Sequence, residues 1–98
     1  MRLYIAGPMT GLPKYNLPAF DAAARELEAA GYDVVNPGRH GVDPEFTWTD
    51  YMRRGLTELL TCDGVALLPG AHNSNGARIE RRVAEDLGML VLPLWEWL

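Results

Sequence analysis

The sequence has one cysteine, Cys62, in 98 residues. An intramolecular disulfide and a cysteine-based metal cluster are therefore both excluded. Cys62 follows an apolar helix stretch and reads as a small buried hydrophobe. Long hydrophobic runs are also missing, and none approaches the length needed to span a membrane. The chain opens directly on a strand pattern at Arg2 without a signal-peptide layout, so a cytoplasmic location is expected. Basic charge is short: nine Lys and Arg against thirteen Asp and Glu leave a net charge of −4. The basic residues gather only in the pairs Arg53–Arg54 and Arg81–Arg82, which read as solvated helix faces. This argues against a nucleic-acid polymer or a membrane as partner. No His/Asp/Glu cluster has ligand spacing, so no metal and no cofactor is expected. Repeats, low-complexity tracts and linkers are absent too, which leaves a single domain over residues 1–98.

What is present alternates in period. Leu3 to Ala6 is a short apolar β-favouring run closed by Gly7-Pro8 and reads as a buried strand. The loop Gly7 to Asn16 follows, its two glycines able to bring backbone close to a ligand. Asn16 is a plausible N-cap with Pro18 near the first helical position. Phe20, Ala23, Ala24 and Leu27 then recur at helical spacing until Gly31, which takes the usual C′ role. Asp33 to Asn36 is a second strand, stopped by Asn36-Pro37-Gly38. Gly38 to Phe46 is irregular, and His40 within it reads as polar surface. Thr47 with Asp50 resembles a capping box, opening a helix with an apolar stripe of Trp48, Met52, Leu56, Leu59 and Leu60. Gly55 interrupts that helix. Val65 to Leu68 is the third strand, Asn73 or Ser74 caps the third helix, and Met89 to Leu94 is the fourth strand. The terminal Trp95-Glu96-Trp97-Leu98 either closes over the core or faces a partner subunit.

The order β-α-β-α-β-α-β implies an α/β fold with right-handed crossovers and helices on both faces of a parallel sheet. Strand order 2-1-3-4 would make it a small flavodoxin-like or Rossmann-like three-layer domain. Ligands of such sheets bind beyond the strand C-termini, at the switch point between strands 1 and 3. That location brings the Gly7 loop beside the Ser74–Glu80 segment. Within the third helix Ile79, Val83, Ala84 and Leu87 define an apolar face, and Glu80 falls inside it while Arg81 and Glu85 face solvent. An inward carboxylate costs free energy unless something uses it. Either it pairs with Arg78 or Arg82, or caps its own helix, or it serves a ligand.

Four motifs carry a resemblance. They are Tyr4-Ile5-Ala6-Gly7-Pro8-Met9-Thr10-Gly11, Asn36-Pro37, Cys62-Asp63-Gly64-Val65-Ala66-Leu67-Leu68-Pro69-Gly70, and Asn73-Ser74 followed by Gly76-Ala77-Arg78 and Glu80. Over nearly the whole chain these residues resemble the nucleoside 2-deoxyribosyltransferase-like superfamily. They are most similar to its small bacterial and phage members, which are related to the nucleoside 5′-monophosphate N-glycosidases. The resemblance implies that Glu80 is the nucleophile at the anomeric carbon of a (deoxy)ribose. The base leaves, and a glycosyl ester passes to water or to a second base. A carboxylate at a helix N-terminus would stay ionised for that role. Ser74 matches the serine of the monophosphate N-glycosidases, where the nucleoside transferases have aspartate, so a nucleotide substrate is implied over a nucleoside. The same matching puts Tyr4, Gly7, Pro8, Met9, Thr10, Gly11, Asn36, Ser74 and Gly76 around the substrate.

The chain also departs from that resemblance. Relatives usually carry an aspartate eight residues before the aspartate of the third strand; counting back from Asp63, this chain has Gly55. Asp50 cannot replace it, because helical periodicity turns it away from the apolar face. His72, near the loop, is a weaker substitute. The alternatives to an enzyme are a catalytically lapsed nucleotide-binding module and a small interaction domain that uses its Trp95–Leu98 tail. A domain this small with an apolar tail is expected to work as a homodimer or higher homo-oligomer.

Overall fold

A computed structural model describes residues 1–98. The elements are β1 (Arg2–Ala6), α1 (Leu17–Ala29), β2 (Asp33–Val35), α2 (Trp48–Leu59), β3 (Gly64–Leu67), α3 (Asn75–Asp86), β4 (Leu90–Pro93) and a short α4 (Leu94–Trp97). All three strand pairings are parallel, in the expected order β2-β1-β3-β4. Side chains alternate across the sheet, so β1 feeds two cores. Leu3 and Ile5 pack with Ala66 against Phe20, Ala23 and Leu27 of α1. Tyr4 and Ala6 pack with Val65 against Leu59 of α2 and against Ala77 and Ala84 of α3. The result is a three-layer α/β domain. No helix is long and apolar enough to cross a membrane.

The helix ends follow local chemistry. Gly31 adopts φ +98°, and its N–H donates to the Glu28 carbonyl while that of Tyr32 donates to Leu27. This is the Schellman arrangement that glycine permits. The capping box of α2 forms as expected: the Asp50 N–H donates to Thr47 Oγ1 (3.2 Å) and the Thr47 N–H to Asp50 Oδ2 (2.8 Å). Those bonds hold the Asp50 carboxyl below its ordinary range.

Asn16 does not cap α1 with its side chain. It lies in the left-handed region and donates instead to the Pro8 carbonyl at 3.0 Å. Lys14 and Tyr15 are left-handed as well (φ 52° and 53°), a run that non-glycine residues rarely adopt. The inward faces of α2 and α3 are also rotated from the expected stripes. On α2 the buried residues are Gly55 and Leu59, while Trp48 and Leu60 are exposed. On α3 they are Ala77, Glu80 and Ala84; Ile79 and Leu87 are 40% and 60% exposed. Small residues let α3 lie close to the sheet, and the larger apolar side chains are left on the flank.

The last strand is shorter than expected, because the chain turns at Pro93 into α4. Its two tryptophans divide. Trp95 is 71% exposed, whereas Trp97 is buried, donates from Nε1 to the Val65 carbonyl at 2.9 Å, and meets Tyr32 edge-on. Trp97 thereby completes the core on the α1 side.

Candidate functional site

The C-terminal ends of β1 and β3 open onto a cleft of about 610 Å³ at the switch point. That volume falls in the range of small-molecule sites. Tyr4 enters it from β1, and Gly7, Pro8, Met9 and Thr10 from the loop that follows. Ser74, Gly76 and Glu80 enter from the start of α3. Ser74 Oγ accepts from the Ala77 N–H at 3.2 Å and caps the helix. Ser74 thus keeps a hydroxyl donor beside the unpaired N–H groups of a helix start, a combination that suits an anion.

Glu80 is 8% exposed, and its Oε2 accepts a hydrogen bond from the Tyr4 hydroxyl. Neither arginine pairing nor helix capping holds it, and Arg82 pairs with Asp86 instead. Burial pushes the Glu80 carboxyl up to about 7; the Tyr4 hydrogen bond opposes the shift and the Glu58 carboxylate adds to it. The expectation that the helix N-terminus keeps it ionised is therefore corrected. Glu80 is the sixth residue of α3, past the first turn in which the dipole acts, and desolvation dominates. Burial, together with the neighbouring Glu80 charge, raises the Tyr4 phenol well above its ordinary value. Gly55 lies against this pair. A Cβ there would stand 2.8 Å from both Glu80 Oε2 and the Tyr4 hydroxyl. Any side chain at 55 would displace the two groups.

The family model described as a domain of unknown function, DUF4406, matches residues 1–93. The chain belongs to this family. No curated protein matches the chain. The matched span holds the whole cleft, whereas Trp97 lies beyond it.

Among the site residues expected from sequence, the DUF4406 domain separates two from the rest. Asn36 is buried but stays outside the cleft: its Nδ2 donates to Asp21 Oδ1 (2.9 Å) and its Oδ1 accepts from the Gly38 N–H (2.8 Å). It shapes the end of β2. Gly11 sits on an exposed turn and does not reach the cleft. Gly7 does line it, but its missing side chain makes room for Leu68, which a Cβ would approach to 2.7 Å. His72 is exposed and lies with Arg78, Arg81 and Arg82 on a different surface of α3.

Other cleft residues were not picked out by the sequence. Trp48, Tyr51, Arg54 and Glu58 all line the cleft from α2. Arg54 is its only cationic side chain, stacked over the rings of Phe46 and Tyr51 at 4.8 and 5.5 Å. The Tyr51 hydroxyl accepts from the Asp43 N–H and donates to the Asp43 carbonyl, which pins the irregular segment to the helix. His40, expected to be mere surface, lies with Nε2 3.1 Å from both carboxylate oxygens of Glu58. Only the one-turn spacing of Gly55, Glu58 and Leu59 signals that Glu58 shares the inward face.

Proposed function

We propose that this domain cleaves the base–sugar bond of a (deoxy)nucleoside 5′-monophosphate, as an N-glycosidase or (deoxy)ribosyltransferase with Glu80 as nucleophile. One observation carries the reading: a buried carboxylate, hydrogen-bonded to Tyr4 and free of any cationic partner, faces a small-molecule cleft at the switch point. The resemblance to nucleoside 2-deoxyribosyltransferase-like proteins supports the same assignment.

In this reaction a Glu80 oxygen forms a bond to the anomeric carbon while the carbon–nitrogen bond breaks and its electron pair leaves with the base. Water, or a second base, then attacks the anomeric carbon and releases Glu80. Tyr4 orients the carboxylate. The Ser74 hydroxyl, the Gly76 N–H, Thr10 and Arg54 offer donors for a 5′-phosphate, and Met9, Trp48 and Met52 offer an apolar wall for a base.

The test is base release. Purified protein is incubated with ribo- and deoxyribonucleoside 5′-monophosphates and the matching nucleosides, and free base is followed by chromatography beside Glu80→Gln. Release by wild type alone, faster from monophosphates, supports the proposal. Binding without release from any of them would make the domain a nucleotide-binding module.

A further inference from the structure

The glycosyl-transfer reading leaves one chemical demand open. A base that departs with the electron pair of its carbon–nitrogen bond needs a proton, and supplying it is general acid catalysis. Few side chains lining the cleft can hold one to give. The Tyr4 proton is committed to Glu80, and that of Tyr51 to the Asp43 carbonyl. Tyr15 stands on the exposed left-handed turn, and an arginine does not release its proton. Glu58 remains.

We propose that Glu58, held by His40, is the acid that protonates the departing base; this rests on the glycosyl-transfer reading above and adds a second catalytic residue to it. Glu58 follows Gly55 by three residues on α2, hence on the same helix face. It lines the same cleft as Glu80 and Tyr4. Its side chain is mostly buried (21% exposed), while that of His40 is 32% exposed and reaches solvent. His40 Nε2 lies 3.1 Å from both carboxyl oxygens of Glu58, which places the imidazole to orient that carboxyl. No carboxylate could stand at 55 without displacing the nucleophile. The next turn of α2 is therefore where a second acid can stand.

The protons balance. As the carbon–nitrogen bond breaks, Glu58 gives its proton to the base nitrogen. The water, or the N–H of a second base, that opens the glycosyl ester then returns a proton to Glu58. His40 is a positioning residue that acts through Glu58.

The experiment compares two forms of the nucleotide that wild type cleaves. One carries its ordinary base; the other carries a base that leaves with less need of a proton, 7-methylguanine for a purine or 5-fluorouracil for a pyrimidine. Wild type, Glu58→Gln, His40→Ala and Glu80→Gln are assayed for kcat on both. Glu58→Gln is expected to lose about 10²–10⁴-fold on the ordinary base and tenfold or less on the activated one. His40→Ala shows the same base dependence at smaller size, and Glu80→Gln is inactive on both. Equal losses on the two bases, in Glu58→Gln or, should that variant not fold, in His40→Ala, would overturn the assignment while leaving Glu80 as nucleophile. Absence of wild-type release from every substrate would remove the glycosyl-transfer reading itself, and this assignment with it.

Discussion

The two faces of the sheet are built from the same strands and do opposite things. On the α1 face Leu3, Ile5 and Ala66 pack in a hydrophobic cluster, and Trp97 closes the layer with its indole N–H paired. On the α2/α3 face Tyr4 and Glu80 stand inside the layer, with Gly55 opposite them in place of a side chain. Residues 3, 4 and 5 of one strand thus alternate between core and site. A face that only packs can be optimised for burial, while the face proposed to react keeps a desolvated carboxylate. The second face should therefore gain stability when its chemistry is removed, and the first should not.

The largest effect is expected on the closed face. Trp97→Ala should cost about 3–5 kcal/mol, read by urea unfolding, with the cleft chemistry unchanged in whatever fraction remains folded. Glu80→Gln should work in the opposite direction. The ordinary value for the carboxyl is 4.5 and the folded value about 7. Between those limits the folded state binds the proton more tightly than the unfolded one, so wild-type stability falls as pH rises and levels off above about 7. The variant escapes this loss and should be more stable at pH 8 by up to about 3 kcal/mol, converging with wild type near pH 4. If Glu80 is the nucleophile as proposed, its ionisation should form the rising limb of the turnover–pH profile, near pH 7. Tyr4→Phe, which removes the hydrogen bond that favours ionisation, should move that rise to higher pH.

Gly55→Ala sharpens the contrast further. Overpacking costs about 1–3 kcal/mol, less about 1 kcal/mol gained from helix propensity. The net loss in thermal or urea stability should be near 1 kcal/mol, with turnover down at least tenfold because the Cβ displaces Glu80, the proposed nucleophile. The smallest effect belongs to neither face. His72→Ala, on the outer surface of α3, should leave turnover unchanged and stability within about 0.5 kcal/mol.

Much of this contrast is legible in the amino-acid order. Apolar runs punctuated by glycine and proline mark the four strands, and helical spacing marks Glu80 as inward. Together these yield the sheet order and the meeting of the Gly7 loop with α3. The exact rotation of α3 escapes, because alanines are nearly neutral in a periodicity argument and Ile79 looks like the better core residue. Asn36 escapes because its partners, Asp21 and Gly38, are set by tertiary placement. The His40–Glu58 contact joins an irregular loop to a helix eighteen residues on, and no local pattern encodes such a pairing. Trp97 could be read as either lid or interface, and only the position of the Val65 carbonyl decides between them.

Trp97 has a further consequence, in the life of the nascent chain. Until residue 97 has left the ribosome, the α1 side has no cover at that end and the Val65 carbonyl has no indole to meet it. Every strand pairing is parallel and joins residues far apart in sequence, so early partial structures gain little. The domain consequently closes late. A polypeptide lacking Trp97 would leave this layer open and expose Leu3, Ile5 and Ala66 to proteases.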